Sequence, residues 1–335
     1  MAAKRAMLVD TTMRDGSHAV RHSYGKEQVA KIAAGLDRCG VELIELAHGD
    51  GLSGSSYTYG FSATDELELL KAASAHIDRA KLTVLLLPGI ATIADLKRAK
   101  ESGATAVRVA THVTEADVSA EHIHAAKDMG MMAVGFLMMV HMAPVERIVE
   151  EAQKMESYGA DYINIADSAG YLMPEDVAAR VGALTRALKI PVGFHAHNNL
   201  GLAIANSLAA VEAGASYLDG TLRGLGAGAG NAQIEVLAAV LDRKGVETGT
   251  DFYGLMDLAG EAVDPIMRRP QTIDDGSLMM GYAGVYSSFL LHVYDAAEKY
   301  GLDARDILVE LGRRGMVGGQ EDMIIDVAYQ LSKGA

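Results

Sequence analysis

The stretch KDMGMMAVGF, Lys127 to Phe136, carries the pattern on which the fold turns. A helix-like segment reaches Gly130 and the chain at once becomes a continuous apolar run. A helix commonly needs a left-handed residue just past its end, and glycine fills that place before the chain returns as a strand. The same rhythm recurs in LDRCGVELIEL around Gly40, KESGATAVRV around Gly103, ESYGADYINI around Gly159 and VEAGASYLDG around Gly214. Gly130 lies 27 residues after Gly103 and 29 before Gly159. The two wider gaps, 40 to 103 and 159 to 214, are about twice as long, and DRAKLTVLLLPG and LKIPVGFHAH fill them as units that lack the glycine.

Working outward, KEQVAKIAAGLDRCG places Val29, Ile32, Ala33 and Leu36 at the spacing of a one-sided helix. Pro174, followed by Glu175 and Asp176, suits a first helical turn. The runs 82–88 and 131–140 are almost continuously apolar, as parallel strands covered on both faces are. Eight strands are expected, near 6–11, 41–47, 82–87, 106–111, 132–140, 161–166, 191–197 and 216–221. Strands and helices alternating over ~250 residues fit an α/β protein of the (β/α)8 TIM-barrel type. A doubly wound sheet would carry a Gly-x-Gly-x-x-Gly turn after its first strand, and none is there. GAGAGN, Gly226 to Asn231, comes late and reads as a tight loop at least as well as a phosphate cradle. After residue 250 the rhythm gives way to helices broken by Pro and Gly. The expected organisation is a barrel over 1–250 and a C-terminal helical domain over 251–335.

Bulk properties narrow the function. The net charge of −14 and the lack of a lysine- or arginine-rich block argue against nucleic acid. No apolar run is long enough to span a bilayer, and the N-terminal residues do not read as a signal peptide. A single cysteine, Cys39, fits a reducing cytoplasm.

In such a barrel the chemistry lies at the C-terminal ends of the strands. There the sequence places Asp10, Arg14, Asp15 and His18, then His48 and Asp50, Thr111 and His112, His141, Asp167 and Ser168, and finally His195, His197 and Asn199. Side chains alternate along a strand, so His195 and His197 share a side. Two imidazoles with a carboxylate such as Asp15 make a first shell for a divalent metal. An isolated His-x-His is more often a hydrogen-bonded pair; the barrel-end position and the carboxylate at the first strand favour the metal. Arg14 offers a fixed fork to a carboxylate or enolate oxygen, and His18 an acid or base. The bland alternative is an Arg–Asp pair capping a loop. His22, His76, His122 and His124 are expected to be solvated, and His48 to tie a loop or support the site. The methionines, Met131, Met132, Met138 and Met139 among them, read as core filler.

Taken together, TTMRDGSHAVRH, HGDGLSGSS, LLLPG, DSAG, HAHNNLG, GAGAGNA and GYAGVYSSFLLH resemble, in order and over nearly the whole chain, the 4-hydroxy-2-oxovalerate (4-hydroxy-2-oxopentanoate) aldolases. The first and fifth of these motifs are shared with the wider pyruvate-type metallolyases. The resemblance implies a metal-dependent (class II) aldolase that cleaves a 4-hydroxy-2-oxoacid to pyruvate and a short aldehyde, in catabolism of aromatic or steroid-type compounds. It implies Mn2+ held by Asp15, His195 and His197, an enolate stabilised by Arg14, and His18 as general base. It adds Ser168 as a substrate contact and Tyr286 as a catalytic tyrosine reaching the site from the C-terminal domain, with Tyr282 one helical turn away as the alternative. The substrate would thus meet Arg14, Asp15, Ser168, His195 and Tyr286. Asn198 departs from the family, which often has histidine there; on a strand it would face away from the ligand pair. The resemblance further implies a hetero-oligomer with an acylating acetaldehyde dehydrogenase that receives the aldehyde through a channel, with Gly318 and Gly319 suited to close backbone approach.

The chemistry agrees with these residue types. Breaking a carbon–carbon bond beside a ketone leaves an enolate, whose charge a divalent cation and Arg14 would hold. His18 would take the hydroxyl proton near neutral pH. No lysine stands out at a strand end, against a Schiff-base route. Two other readings stand beside the aldolase: an acyl-CoA-using metallolyase of the same superfamily, and a non-catalytic partner of a dehydrogenase.

Overall fold

The computed structural model of the chain describes residues 4–334. Its eight strands are β1 (Met7–Met13), β2 (Leu43–Leu46), β3 (Lys81–Leu86), β4 (Ala106–His112), β5 (Met132–Met138), β6 (Tyr162–Asp167), β7 (Val192–Ala196) and β8 (Tyr217–Gly220). They close into one parallel barrel in chain order, β8 returning to pair Tyr217 with Met7 and Gly220 with Asp10. The doubly wound alternative is therefore out. The five repeat glycines all take positive φ, from 72° at Gly130 to 109° at Gly103 and Gly214, each just after a helix. The apolar run after Gly130 stops short of its expected end at 140. Met139 is left-handed (φ 56°) and starts a 3-10 turn, Val140–Met142.

Alternation sorts the strand side chains into two populations. Outward residues such as Leu8, Ile44, Val84, Val107, Leu137, Ile163, Phe194 and Leu218 belong to the main core, between strands and helices. Val29, Ile32, Ala33 and Leu36 meet it from the helix Lys26–Arg38. Inward, Val9, Leu43, Val134 and Tyr162 fill one part of the barrel, and Leu85, Ala110, Phe136 and Ala166 another. A third set of inward positions is charged: Glu45, Arg108 and Asp219 lie mid-strand and fully buried. Burying unpaired charge is costly, so these three must satisfy one another or the site above them.

A short parallel pair, Lys4–Arg5 with Val246–Glu247, precedes β1. The helix Phe252–Leu258 contributes Leu255 and Leu258 to the barrel's own core. Four further helices, Asp275–Ala283, Leu290–Tyr300, Ala304–Arg314 and Asp322–Gly334, enclose a second core of Met280, Phe289, Val293, Ile307, Leu311, Ile324 and Val327. Among the described residues no helix is long and apolar enough to cross a membrane.

Candidate metal centre and active site

β1 ends in a bend that aims its following residues across the barrel mouth. Asp10 brackets the bend, its carboxylate accepting from the amide and hydroxyl of Thr12. The chain then enters a one-turn helix, Gly16–Ala19, with Asp15 just before it. From the other side of the mouth, His195 is the penultimate residue of β7, and His197 follows it, bridged to Asn231. The alternation read from the sequence brings both imidazoles to Asp15. Nε2 of His195 lies 3.4 Å from Nε2 of His197, and each lies 3.7 Å from Oδ2 of Asp15.

This triangle fits a divalent ion. Donors bonded at about 2.0–2.2 Å to one ion lie roughly 3–3.6 Å apart, so the two 3.7 Å sides need to close only slightly around it. Nδ1 of His195 sits 2.8 Å from Oδ2 of Asp219, whose negative charge selects the tautomer with the proton on Nδ1. Nε2 then presents a lone pair into the triangle. Two imidazole nitrogens and a carboxylate oxygen facing one another in a buried space make a hole rich in lone pairs, which a cation satisfies. Burial by itself would raise the Asp15 carboxyl, yet Arg14 and the two imidazoles hold it well below the usual carboxylate range. Burial takes the His197 ring down to about 4 against the pull of Asp15, so it is neutral and able to ligate at neutral pH. Oδ1 of Asp15 is fixed separately by the amide of Ala227 and Nδ2 of Asn231, both at 3.1 Å. GAGAGN thus proves to be a tight loop wrapped on the site.

Arg14 is clamped on both sides: Nε donates to Glu45 at 2.7 Å and Nη1 to Asp15 at 2.8 Å. The Arg–Asp pair of the bland reading does exist, but at the barrel mouth beside the histidines. His18 lies on the one-turn helix, its ring packed so closely over Gly49 that a Cβ there would sit 2.5 Å from Nε2. Tyr286 approaches from the C-terminal segment. Burial and the neighbouring Asp50 raise its hydroxyl, which also feels Arg14 and Asp15. Tyr282 is 70% exposed and points away. A cavity of about 140 Å³ lies beside Tyr286, lined by Leu87, Thr111, His112, Met138 and Gly318 among others.

Other strand-end residues are held by hydrogen bonds within the fold. The Ser168 hydroxyl accepts from the amide of Met139 at 3.1 Å, while its carbonyl accepts from Ser287. Asp167 binds the amides of Tyr171 and Leu172. His141 bonds the Gly284 carbonyl. Asn199 joins Ala169, Ala229 and Ser287, fastening two loops to the C-terminal segment. Asn198 does face away from the ligand pair, its Oδ1 accepting from Ala203 at the start of a helix. His48 holds a loop through the Gly60 carbonyl and the Asp50 amide. The expectation that His22 is solvated is wrong. It is buried, stacked on His48 at 3.7 Å between ring centres and bonded to Ser17. A loop folded over by HGDGLSGSS covers it, which spacing along the chain does not reveal. His18, His22 and Asp50 form a second cluster of ligand-type atoms, all within 4.8 Å.

Sequence reasoning missed Glu45, Arg108, Asp219 and Asn231. The first three had a usable mark: each is a lone charge inside an otherwise apolar strand, in LIEL, AVRVATH and YLDG.

With this geometry in hand, the relatives are informative. Residues 5–261 match the family model described as HMGL-like, and residues 271–333 the model described as a DmpG-like communication domain. The 4-hydroxy-2-oxovalerate aldolase of Moorella thermoacetica is 68% identical over 333 residues, covering 99% of this chain and 98% of that one. The protein of the same name from Carboxydothermus hydrogenoformans is 60% identical over 331 residues, covering 99% and 98%. Among solved structures, the carboxyl transferase domain of Rhizobium etli pyruvate carboxylase with pyruvate and biocytin shares the fold, with a TM-score of 0.85 at 19% identity over 99% of this chain and 61% of that chain. The chain belongs to the HMGL-like family, in its branch of 4-hydroxy-2-oxovalerate aldolases.

Proposed function

We propose that this lyase cleaves 4-hydroxy-2-oxopentanoate, or a close homologue, to pyruvate and a short aldehyde by retro-aldol chemistry at the Asp15–His195–His197 centre. The observation that carries the reading is the convergence of three ligand atoms 3.4–3.7 Å apart, with Arg14 held rigidly beside them. When bound there, a divalent cation, Mn2+ in our reading, supplies Lewis acidity to the substrate ketone. Glu45 and Asp15 occupy Nε and Nη1 of Arg14, which leaves Nη2 to bind the oxygen on which enolate charge develops. His18 takes the proton of the C4 hydroxyl; the C3–C4 bond breaks, the aldehyde leaves, and the pyruvate enolate is protonated at C3. Tyr286 reaches the substrate from the C-terminal domain and takes part in catalysis, and Ser168 contacts the substrate.

The match to a communication domain supports a second part of the proposal. The C-terminal helical domain, read as 251–335 and matched over residues 271–333, docks an acylating acetaldehyde dehydrogenase, and the aldehyde leaves through the cavity beside Tyr286 and Gly318. The protein would then work in the cytoplasm as a hetero-oligomer, in the breakdown of aromatic or steroid-type compounds.

The test is pyruvate release from 4-hydroxy-2-oxopentanoate in the absence of any CoA compound. Activity that chelator abolishes and Mn2+ restores is expected. Cleavage confined to an acyl-CoA substrate would favour the acyl-CoA metallolyase instead, and no cleavage at all the non-catalytic partner.

A further inference from the structure

Arg108 is fully buried in the middle of β4, with Asp219 standing between it and the proposed ligand His195. Its Nη2 lies 2.5 Å from Oδ2 of Asp219, and its Nη1 3.4 Å from Oε2 of Glu45. Those same two oxygens serve the site above. Oδ2 of Asp219 faces Nδ1 of His195 at 2.8 Å, and Oε2 of Glu45 accepts from Nε of Arg14 at 2.7 Å. One guanidinium therefore stands behind both halves of the site, the ligand from β7 and the arginine that follows β1. The ring of Phe136 covers it, 4.4 Å from the guanidinium carbon, and also touches His195 edge-on.

Stability alone is a poor account of this arrangement. Buried ion pairs gain little over apolar packing of the same volume, and apolar side chains fill other inward positions of this barrel. The local charge is also unbalanced. Two guanidiniums, Arg14 and Arg108, face three carboxylates, Asp15, Glu45 and Asp219, a deficit that suits an added cation. Oδ1 of Asp219 has no hydrogen-bond partner among the described residues. Only the paired grip of Arg108 and His195 on Oδ2 then fixes the rotation of that carboxylate.

We propose that Arg108 is a positioning residue for the metal: it holds Asp219 so that its carboxylate accepts from Nδ1 of His195, which aims the Nε2 lone pair at the ion. The inference rests on the metal reading above. Partners of this kind behind a ligating histidine are typically worth 10–100-fold in metal affinity.

The experiment is equilibrium titration of Mn2+ into the purified full chain, reading free Mn2+ by electron paramagnetic resonance. The proteins are wild type, Arg108→Met, Asp219→Asn, the double variant and Arg108→Lys, with circular dichroism to check folding. Arg108→Met and Asp219→Asn should each weaken binding about 10–100-fold. The double variant should bind no more weakly than the worse single one, because both act through one hydrogen bond. Arg108→Lys, whose ammonium cannot span both carboxylates, should bind more weakly than wild type but less weakly than Arg108→Met. Wild-type affinity in folded Arg108→Met, or losses that add in the double variant, would overturn the inference alone. If Arg108→Met does not fold, wild-type affinity in Arg108→Lys would overturn it equally. A wild-type chain that takes up no Mn2+ overturns the metal reading, and this inference with it.

Discussion

His195 and His18 are both imidazoles at the barrel mouth, yet the structure gives them different neighbours and so different expected phenotypes. Replacing His195 by Ala removes one corner of the ligand triangle, and metal and activity should disappear together. His18 lies outside the triangle, so His18→Ala should keep its Mn2+ while kcat falls about 10²–10⁴-fold, the usual worth of a general base. Metal content by atomic absorption beside steady-state pyruvate release separates the two. Full turnover in His18→Ala across the pH range would remove His18 from the chemistry. At this scale the sequence was legible where a residue stood out against its local pattern and had a role familiar from chemistry. His-x-His at a strand end and Arg-Asp after β1 could be read; Glu45, Arg108 and Asp219 could not be assigned, although they interrupt apolar strands. Their partners lie on other strands, and the Arg108–Asp219 contact joins residues 111 positions apart. Only barrel closure brings β4 and β8 to that common interior.

Among the elements, the eight strands were readable to within about two residues because glycine-capped helices and twice-covered strands leave strong local patterns. The loops were not, and the buried stack of His22 on His48 is the clearest case. Burial lowers the ring of His48 to about 4, with His18 adding to the effect, and lowers that of His141 to about 4 as well. In the unfolded chain such rings take up protons near pH 6.5. Between about 6.5 and 4 the unfolded state therefore binds more protons than the folded one. The contribution of each ring is full above about pH 6.5 and falls as pH drops from there through about 4, by up to about 1.4 kcal/mol per pH unit, while the carboxyls of Asp10 and Asp167, raised by burial to about 7 and about 6, pull the other way. Urea unfolding from pH 7.5 to 4.5 isolates one ring: the stability of His141→Gln should gain on that of wild type as pH falls through this window. A difference between the two proteins that does not change with pH would contradict it. A second element-scale expectation concerns Gly312, inside the helix Ala304–Arg314. A Cβ there would lie 2.2 Å from the carbonyl oxygen of Ala283, at the end of the helix Asp275–Ala283. Gly312→Ala should push these helices apart and cost about 1–3 kcal/mol, measured as a lower urea midpoint at unchanged slope.

For the molecule as a whole, the sequence puts the division between barrel and helical domain at residue 250, where a rhythm stops. The packing adds that Phe252–Leu258 joins the barrel's core, while the second core begins at Met280. Tyr282, Leu291 and Tyr294 on the later helices expose apolar surface. Mixed with an acylating acetaldehyde dehydrogenase, the chain should sediment as a heavier species, and Leu291→Glu should weaken that association. Two proteins that sediment independently would contradict the docking role. The link between barrel and C-terminal helices runs through Tyr286, Ser287 and Asn199, so the centre beneath them is where the whole account is decided. The most direct measurement is a crystal structure of the chain grown with Mn2+, with anomalous data collected at the manganese edge. The account predicts one strong peak bonded to Oδ2 of Asp15 and to Nε2 of His195 and His197. A map with no peak inside that triangle, or with the manganese bound elsewhere, would contradict it.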